Sequence, residues 1–164
     1  MFFIFASLRC LACGDNENLI VQGPFNDSEF KNGYICFQHS SDKRDIAFYL
    51  SYKSKGVEHN EVMDTYEYSD GPVELMSVFF APVHQKRNLV VLLRWHVNYE
   101  NNGIRYLYFY EIKTYQKRKN GYELNLKSDS DSKLSGYQTQ KNGKVTDYPL
   151  NNAERIKNYL INTY

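Results

Sequence analysis

No stretch of this chain approaches the roughly 18 uninterrupted apolar residues that a membrane-crossing helix needs. Cysteine is sparse: Cys10, Cys13 and Cys36 are the only three. Three do not make a disulfide framework. The single C-x-x-C, Cys10 to Cys13, lacks the second pair or the paired histidines that complete a zinc site. The four histidines, His39, His59, His84 and His96, never stand two or four residues apart, so no H-E-x-x-H pattern occurs. A G-x-S-x-G elbow is missing too. Net charge is close to nil at +1, which argues against nucleic acid as a partner. No metal and no cofactor is expected.

Aromatic residues are what the chain has in plenty. Of its 164 residues 15 are Tyr and 10 are Phe. Tyr suits strands and half-buried surfaces, where the ring is covered and the hydroxyl stays wet. The small net charge also hides a split. Residues 1–82 hold 12 acidic and 6 basic side chains, whereas residues 83–164 hold 7 and 14. Strands distant in sequence often pair, so the plain expectation is that the halves interleave and neutralise each other. If they separate in space, the molecule has two electrically distinct sides that can steer a charged partner.

The pattern is that of an α+β protein: mainly antiparallel sheet, in a meander, with a C-terminal helix packed on it. Residues 14–45 are turn-rich, and "DIAFYLSY" at 45–52 reads as a strand ended by Ser54-Lys55-Gly56. A further strand is expected over Glu61–Tyr68. "PVELMSVFFAPV", between Pro72 and Pro82, reads as a strand buried on both faces. "NLVVLLRWHVNY" then puts Leu89, Val91, Leu93, Trp95 and Val97 on one face. Asn101-Asn102-Gly103 supplies a tight hairpin turn. The returning strand alternates Ile104, Tyr106, Tyr108, Tyr110 and Ile112 with Arg105, Leu107, Phe109, Glu111, Lys113 and Tyr115. Lys119-Asn120-Gly121 turns it into a third strand over 121–127. A short strand at 135–140 follows. Asn151 or Asn152 caps a helix from Ala153 to Ile161, with Ile156, Tyr159 and Leu160 on one face. The tyrosines are expected to pack on the sheet rather than to present an open stacking platform.

The first residues, "MFFIFASLRCLACGDNEN", begin apolar and turn polar after Cys13. This resembles the end of a bacterial lipoprotein signal, in which small residues precede the modified Cys. Here Ala12 precedes Cys13, but Cys10 and Leu11 fill the positions before it and a basic opening is missing. Residues 1–13 are read as a leader, with Cys13 the lipidation candidate, and residues 14–164 as one β-rich domain. The other reading is a short strand, Phe2 to Leu8, that is never cleaved.

Candidate chemistry is thin. Cys36 sits in the apolar "YICFQH" and reads as a small buried hydrophobe. "DTYEYSDG" brings Asp64, Glu67 and Asp70 close in sequence, and paired carboxylates can hydrolyse glycosidic bonds. Acidic loops are more often merely solvated. The same segment is the best candidate for a partner-binding surface, Asp64, Tyr66, Glu67, Tyr68 and Asp70, because tyrosines beside acids give rigid amphipathic contact area.

Taken together, "VELMSVFFAPV", "RNLVVLLRW", the Tyr-rich strand, "KLSGYQ" and the terminal "NNAERIKNYL" resemble small envelope-located immunity proteins of interbacterial toxin systems, including those of type VI secretion. The resemblance covers roughly residues 60–164. It implies a non-enzymatic protein that binds and blocks one cognate toxin. It also implies a location in the periplasm, or on the periplasmic side of the outer membrane through an N-terminal lipid anchor; a cytoplasmic location is the alternative. No family site residue maps onto numbered positions here. A carbohydrate- or peptidoglycan-binding module, with Tyr and Trp95 stacking on sugars, is the alternative function, and a small wall hydrolase the third.

Overall fold

The computed structural model describes Cys13, residues 16–27, Phe30 and residues 33–164. The expected strand Phe2 to Leu8 lies outside the described residues. Strands β1 (Ile20–Asn26), β2 (Gly33–His39), β3 (Ile46–Ser54) and β4 (Val57–Tyr66) form one antiparallel sheet in chain order. Strands β5 (Val73–Val83), β6 (Lys86–Asn101), β7 (Ile104–Arg118), β8 (Gly121–Leu124), β9 (Ser135–Lys141) and β10 (Lys144–Thr146) form the other. Its order is β10-β9-β7-β6-β5, with β8 also pairing β7. A short helix α1 (Leu126–Asp129) follows β8, and helix α2 (Ala153–Thr163) ends the chain. The antiparallel sheet and the docked C-terminal helix are as the sequence implies.

Two apolar layers hold these pieces together. One lies between the sheets and contains Phe37, Phe48, Leu50, Leu89, Val91, Leu93 and Trp95. The other lies between the second sheet and α2 and contains Val90, Leu92, Ile112, Ile156 and Leu160. The second sheet is therefore the middle layer of three. That is why β6 reads as a continuous apolar run: its alternate side chains feed different cores. Full burial of each such Leu or Val contributes roughly 1.5–3 kcal/mol. Helix α2 is capped by Asn152, whose side chain accepts from the Arg155 N–H at 3.1 Å, satisfying one orphan donor of the first turn.

The charge halves separate for the most part. All strands of the first sheet come from residues 20–66, and all of the second from 73–146. They interleave at β5, which pairs with β6, and they neutralise each other in part through the Arg87–Asp27 and Arg94–Glu74 ion pairs. The reason is topological: each sheet is built from neighbours in the chain, and the crossing between them is made once, after β4.

Strand β7 shares one of its edges between two partners. β9 pairs with Ile104–Glu111 and β8 pairs with Tyr115–Arg118. Between them Asn125 donates its N–H to Thr114 O at 2.8 Å, and the Thr114 and Ser128 hydroxyls meet at 2.6 Å. The β6–β7 turn uses Asn102 (φ 51°) and Gly103 (φ 71°), the left-handed pair expected of a tight hairpin. Gly136 of β9 is required for another reason. A Cβ there would stand 2.7 Å from Cδ2 of Tyr148, whose ring lies over this strand and stacks on Tyr110.

Two register shifts re-aim the tyrosines. The β7–β9 ladder slips between Tyr106 and Tyr108, and the β6–β7 ladder between His96 and Tyr99. Tyr106 therefore leaves the face of Tyr108 and Tyr110 and joins that of Phe109. Strict alternation had placed it with Tyr108; a bulge at Leu107 breaks the period of two. Tyr108 and Tyr110 stay on the helix side, and Tyr115 lies buried between the sheets.

Candidate interaction surface

The segment singled out by sequence divides in two. Tyr66 is the last residue of β4 and only 2% exposed, a core residue rather than a contact residue. Its hydroxyl lies 2.9 Å from that of Tyr115, and Tyr115 donates to Asp64 Oδ2 at 2.6 Å. Since the Tyr115 proton goes to the carboxylate, Tyr66 is the donor to Tyr115. Burial pushes both phenols well above their ordinary range; the charge on Asp64 adds to this, and for Tyr115 so does its hydrogen bond to that carboxylate. Tyr66 thus serves the fold, which corrects its assignment to a partner surface; Asp64 joins the same hydrogen-bond chain but is only half-buried. The strand is displaced from the expected Glu61–Tyr68: β4 starts at Val57, after a Lys55-Gly56 turn with both φ positive, and ends at Tyr66.

Glu67, Tyr68 and Asp70 do stand on the surface. They belong to the linker that carries the chain from one sheet to the other. Glu67 O accepts the Trp95 indole N–H at 2.9 Å, closing the inter-sheet layer at that rim. The Tyr68 N–H donates to Asp45 Oδ1 at 2.7 Å, and the Arg44 guanidinium covers its ring at 4.0 Å. One ring face of Tyr68 is therefore already occupied.

Beyond Trp95 the same face of the second sheet bears a run of touching aromatic rings. Trp95 touches Phe109 (ring centroids 5.9 Å), Phe109 touches Tyr137 (5.0 Å), Tyr137 touches Tyr106 (5.1 Å) and Tyr106 touches Tyr99 (5.5 Å). Tyr99 is 54% exposed and Tyr137 47%. This part of the β6–β7 hairpin extends roughly 20 Å past Trp95, at about 3.3 Å per residue. The rings are not coplanar: Tyr106 and Tyr137 meet at 82°, Phe109 and Tyr137 at 46°, Tyr99 and Tyr106 at 39°. Such a cluster presents edges and faces in several directions. It suits an irregular protein surface better than a flat sugar or base. Sequence reasoning missed the patch because Tyr106 was assigned to the wrong face and Tyr99 and Tyr137 lie on other strands.

Three of the four histidines have ring partners, whereas the buried Nδ1 of His39 has no hydrogen-bond partner among the described residues. His59 stacks on Tyr52 at 5.1 Å, His96 meets Tyr108 edge-on at 5.4 Å, and His84 meets Tyr164 at 5.2 Å. Among the described residues no group of three His, Cys, Asp or Glu side chains is placed to hold a metal ion. Cys36 is not a free thiol. It forms a disulfide with Cys13, with Cα atoms 5.5 Å apart. That sulfur cannot also carry a lipid, so Cys13 as the lipidation residue and Cys36 as a simple hydrophobe are both corrected. The pairing escaped sequence reasoning because it spans 23 residues and depends on how the chain before β1 lies against β2.

No family model, no curated protein and no solved structure matches this chain.

Proposed function

We propose that the protein is a non-enzymatic binding protein that occludes a partner protein, and that the partner is a cognate bacterial toxin acting in the cell envelope. The observation that carries this reading is the open cluster of Tyr99, Tyr106 and Tyr137, backed by Phe109 and Trp95. Exposed tyrosines seated on a rigid sheet lose little conformational entropy on contact and recur as the energetic centres of protein interfaces. The partial separation of acidic and basic halves adds electrostatic steering. The Cys13–Cys36 bond supports an oxidising compartment such as the periplasm. The resemblance to envelope immunity proteins supports the class of partner.

Affinity for the product of the adjacent gene tests the proposal. Micromolar or tighter binding is expected, weakened about 30-fold or more by Tyr99→Ala combined with Tyr137→Ala, the loss typical of interface hot spots. No binding at micromolar concentration, or an unchanged double variant, overturns it. A second reading rests on the same rings, since Tyr99 and Tyr137 each offer enough open surface to stack on one sugar. Binding to purified wall glycan, lost in the same double variant, would select that reading instead.

A further inference from the structure

The far end of the second sheet carries a different surface. There the start of β6, the end of β7 and α1 converge around two adjoining recesses of about 210 and about 300 Å³. Lys86 and Arg118 line both; Lys127 lines the first, and Arg87 and Lys117 the second. The carboxylates nearby are fewer. Glu123 pairs with Arg118 at 2.5 Å, and the buried Asp27 pairs with Arg87 at 2.6 Å. Lys86 and Lys127 are exposed and form no ion pair among the described residues. The floor is polar and already satisfied, with buried Asn125 donating to buried Asn88 at 3.1 Å. At the rim, next to Lys127, Leu126 stands 70% exposed.

We propose that this end of the molecule docks on an anionic lipid surface, with headgroup phosphates in the recess between Lys86, Arg118 and Lys127 and Leu126 reaching toward the acyl boundary. Charge complementarity argues for an anion. Leu126 argues for lipid over a soluble phosphate, because an apolar side chain beside the cations gains only where there is hydrocarbon to enter. A nucleic acid fits poorly. The nearby phenylalanine rings each carry a cation on one face, Arg87 on Phe80 at 3.3 Å and Lys117 on Phe30 at 4.7 Å, which leaves less ring surface among the described residues for bases to stack on. The open tyrosines lie at the other end of β6, roughly 40 Å away at about 3.3 Å per residue. A chain docked in this way holds its tyrosine end off the bilayer. The inference stands apart from the toxin reading, since docking requires no protein partner.

Cosedimentation of the full chain with phosphatidylcholine vesicles, with and without phosphatidylglycerol, tests it. Binding is expected only to the anionic vesicles, weakening as salt rises. Each of Lys86→Gln and Lys127→Gln lowers the partition coefficient about fivefold, and Leu126→Ser lowers it further. All three side chains are exposed, so thermal midpoints should not move, and residues 1–12 are unchanged in every variant. Equal binding to neutral vesicles, or variants that bind like the parent, overturns the proposal. So does tight binding of soluble polyphosphate that is indifferent to Leu126→Ser, which marks a soluble-anion site.

Discussion

The hydroxyl oxygens of Tyr66 and Tyr115 lie 2.9 Å apart inside the sandwich, one at the end of each sheet's contribution to the core, and Asp64 accepts the outgoing proton at 2.6 Å. This short relay ties β4 to β7. Tyr115→Phe removes an acceptor from buried Tyr66 and a donor from Asp64 at once. The expected loss is about 1–3 kcal/mol by urea unfolding, larger than for Tyr66→Phe, which leaves Tyr115 paired with Asp64. The relay has a pH signature. Both phenols are raised in the fold, so their stabilisation is complete below the unfolded value of about 10 and is lost as pH rises above it. The double Phe variant should therefore show a flatter fall in thermal midpoint above pH 10 than the parent; an equal fall would sink the assignment.

Asp131 fastens the C-terminal helix. Its Oδ2 accepts from the hydroxyls of Tyr159 (2.6 Å) and Tyr164 (2.8 Å), and its Oδ1 from the Lys133 N–H at 2.9 Å. Burial alone would raise its pKa, but these hydrogen bonds outweigh it and hold the carboxyl below its usual range. A depressed carboxylate stabilises above its unfolded value of about 3.9, and the effect is lost as pH falls through the lower folded value. The parent should lose more of its stability than Asp131→Asn when pH is lowered from 5 toward 2. Parallel acid curves would contradict this.

A non-reduced digest should yield a peptide pair joined through Cys13 and Cys36. Replacing both by Ala is expected to cost about 3 kcal/mol, the chain-entropy value for a loop of this size. Reductant should lower the parent's midpoint and leave that variant's unchanged. A digest in which Cys36 is alkylated without reduction would remove the bond from consideration.

Leu92 and Tyr99 make a paired comparison on one strand. Leu92 is buried between the middle sheet and α2, and Leu92→Ala should cost about 2–5 kcal/mol in chemical denaturation. Tyr99, half open on the other face, should cost less than about 1 kcal/mol on changing to Ala. If Tyr99→Ala destabilised as much as Leu92→Ala, the tyrosine cluster would be core rather than contact surface.

Much of the middle of the fold is legible in the chain. The β6–β7 hairpin is announced by Asn102-Gly103 between two alternating runs, and α2 by Asn152 followed by Ile156 and Leu160. These signals are local, carried by residues a few positions apart. The expected third strand over 121–127 is shorter, Gly121–Leu124, because Asn125 turns inward to Asn88 and α1 begins. The β5–β6 turn was not foreseen, since His84 (φ 49°) and Gln85 (φ 60°) adopt left-handed conformations without a glycine. Of the five residues expected at a partner surface, Glu67, Tyr68 and Asp70 are on the surface, Asp64 is half-buried, and Tyr66 is in the core against Tyr115.

By itself the sequence determined the strand-rich antiparallel character, the central hairpin and the terminal helix, because period, turn residues and caps act within a few residues of one another. Only the tertiary structure decided which tyrosines stay open, that Cys13 meets Cys36, and that acidic and basic halves separate for the most part into layers. Those outcomes depend on a one-residue slip in a ladder and on contacts across dozens of positions, and no local preference encodes either.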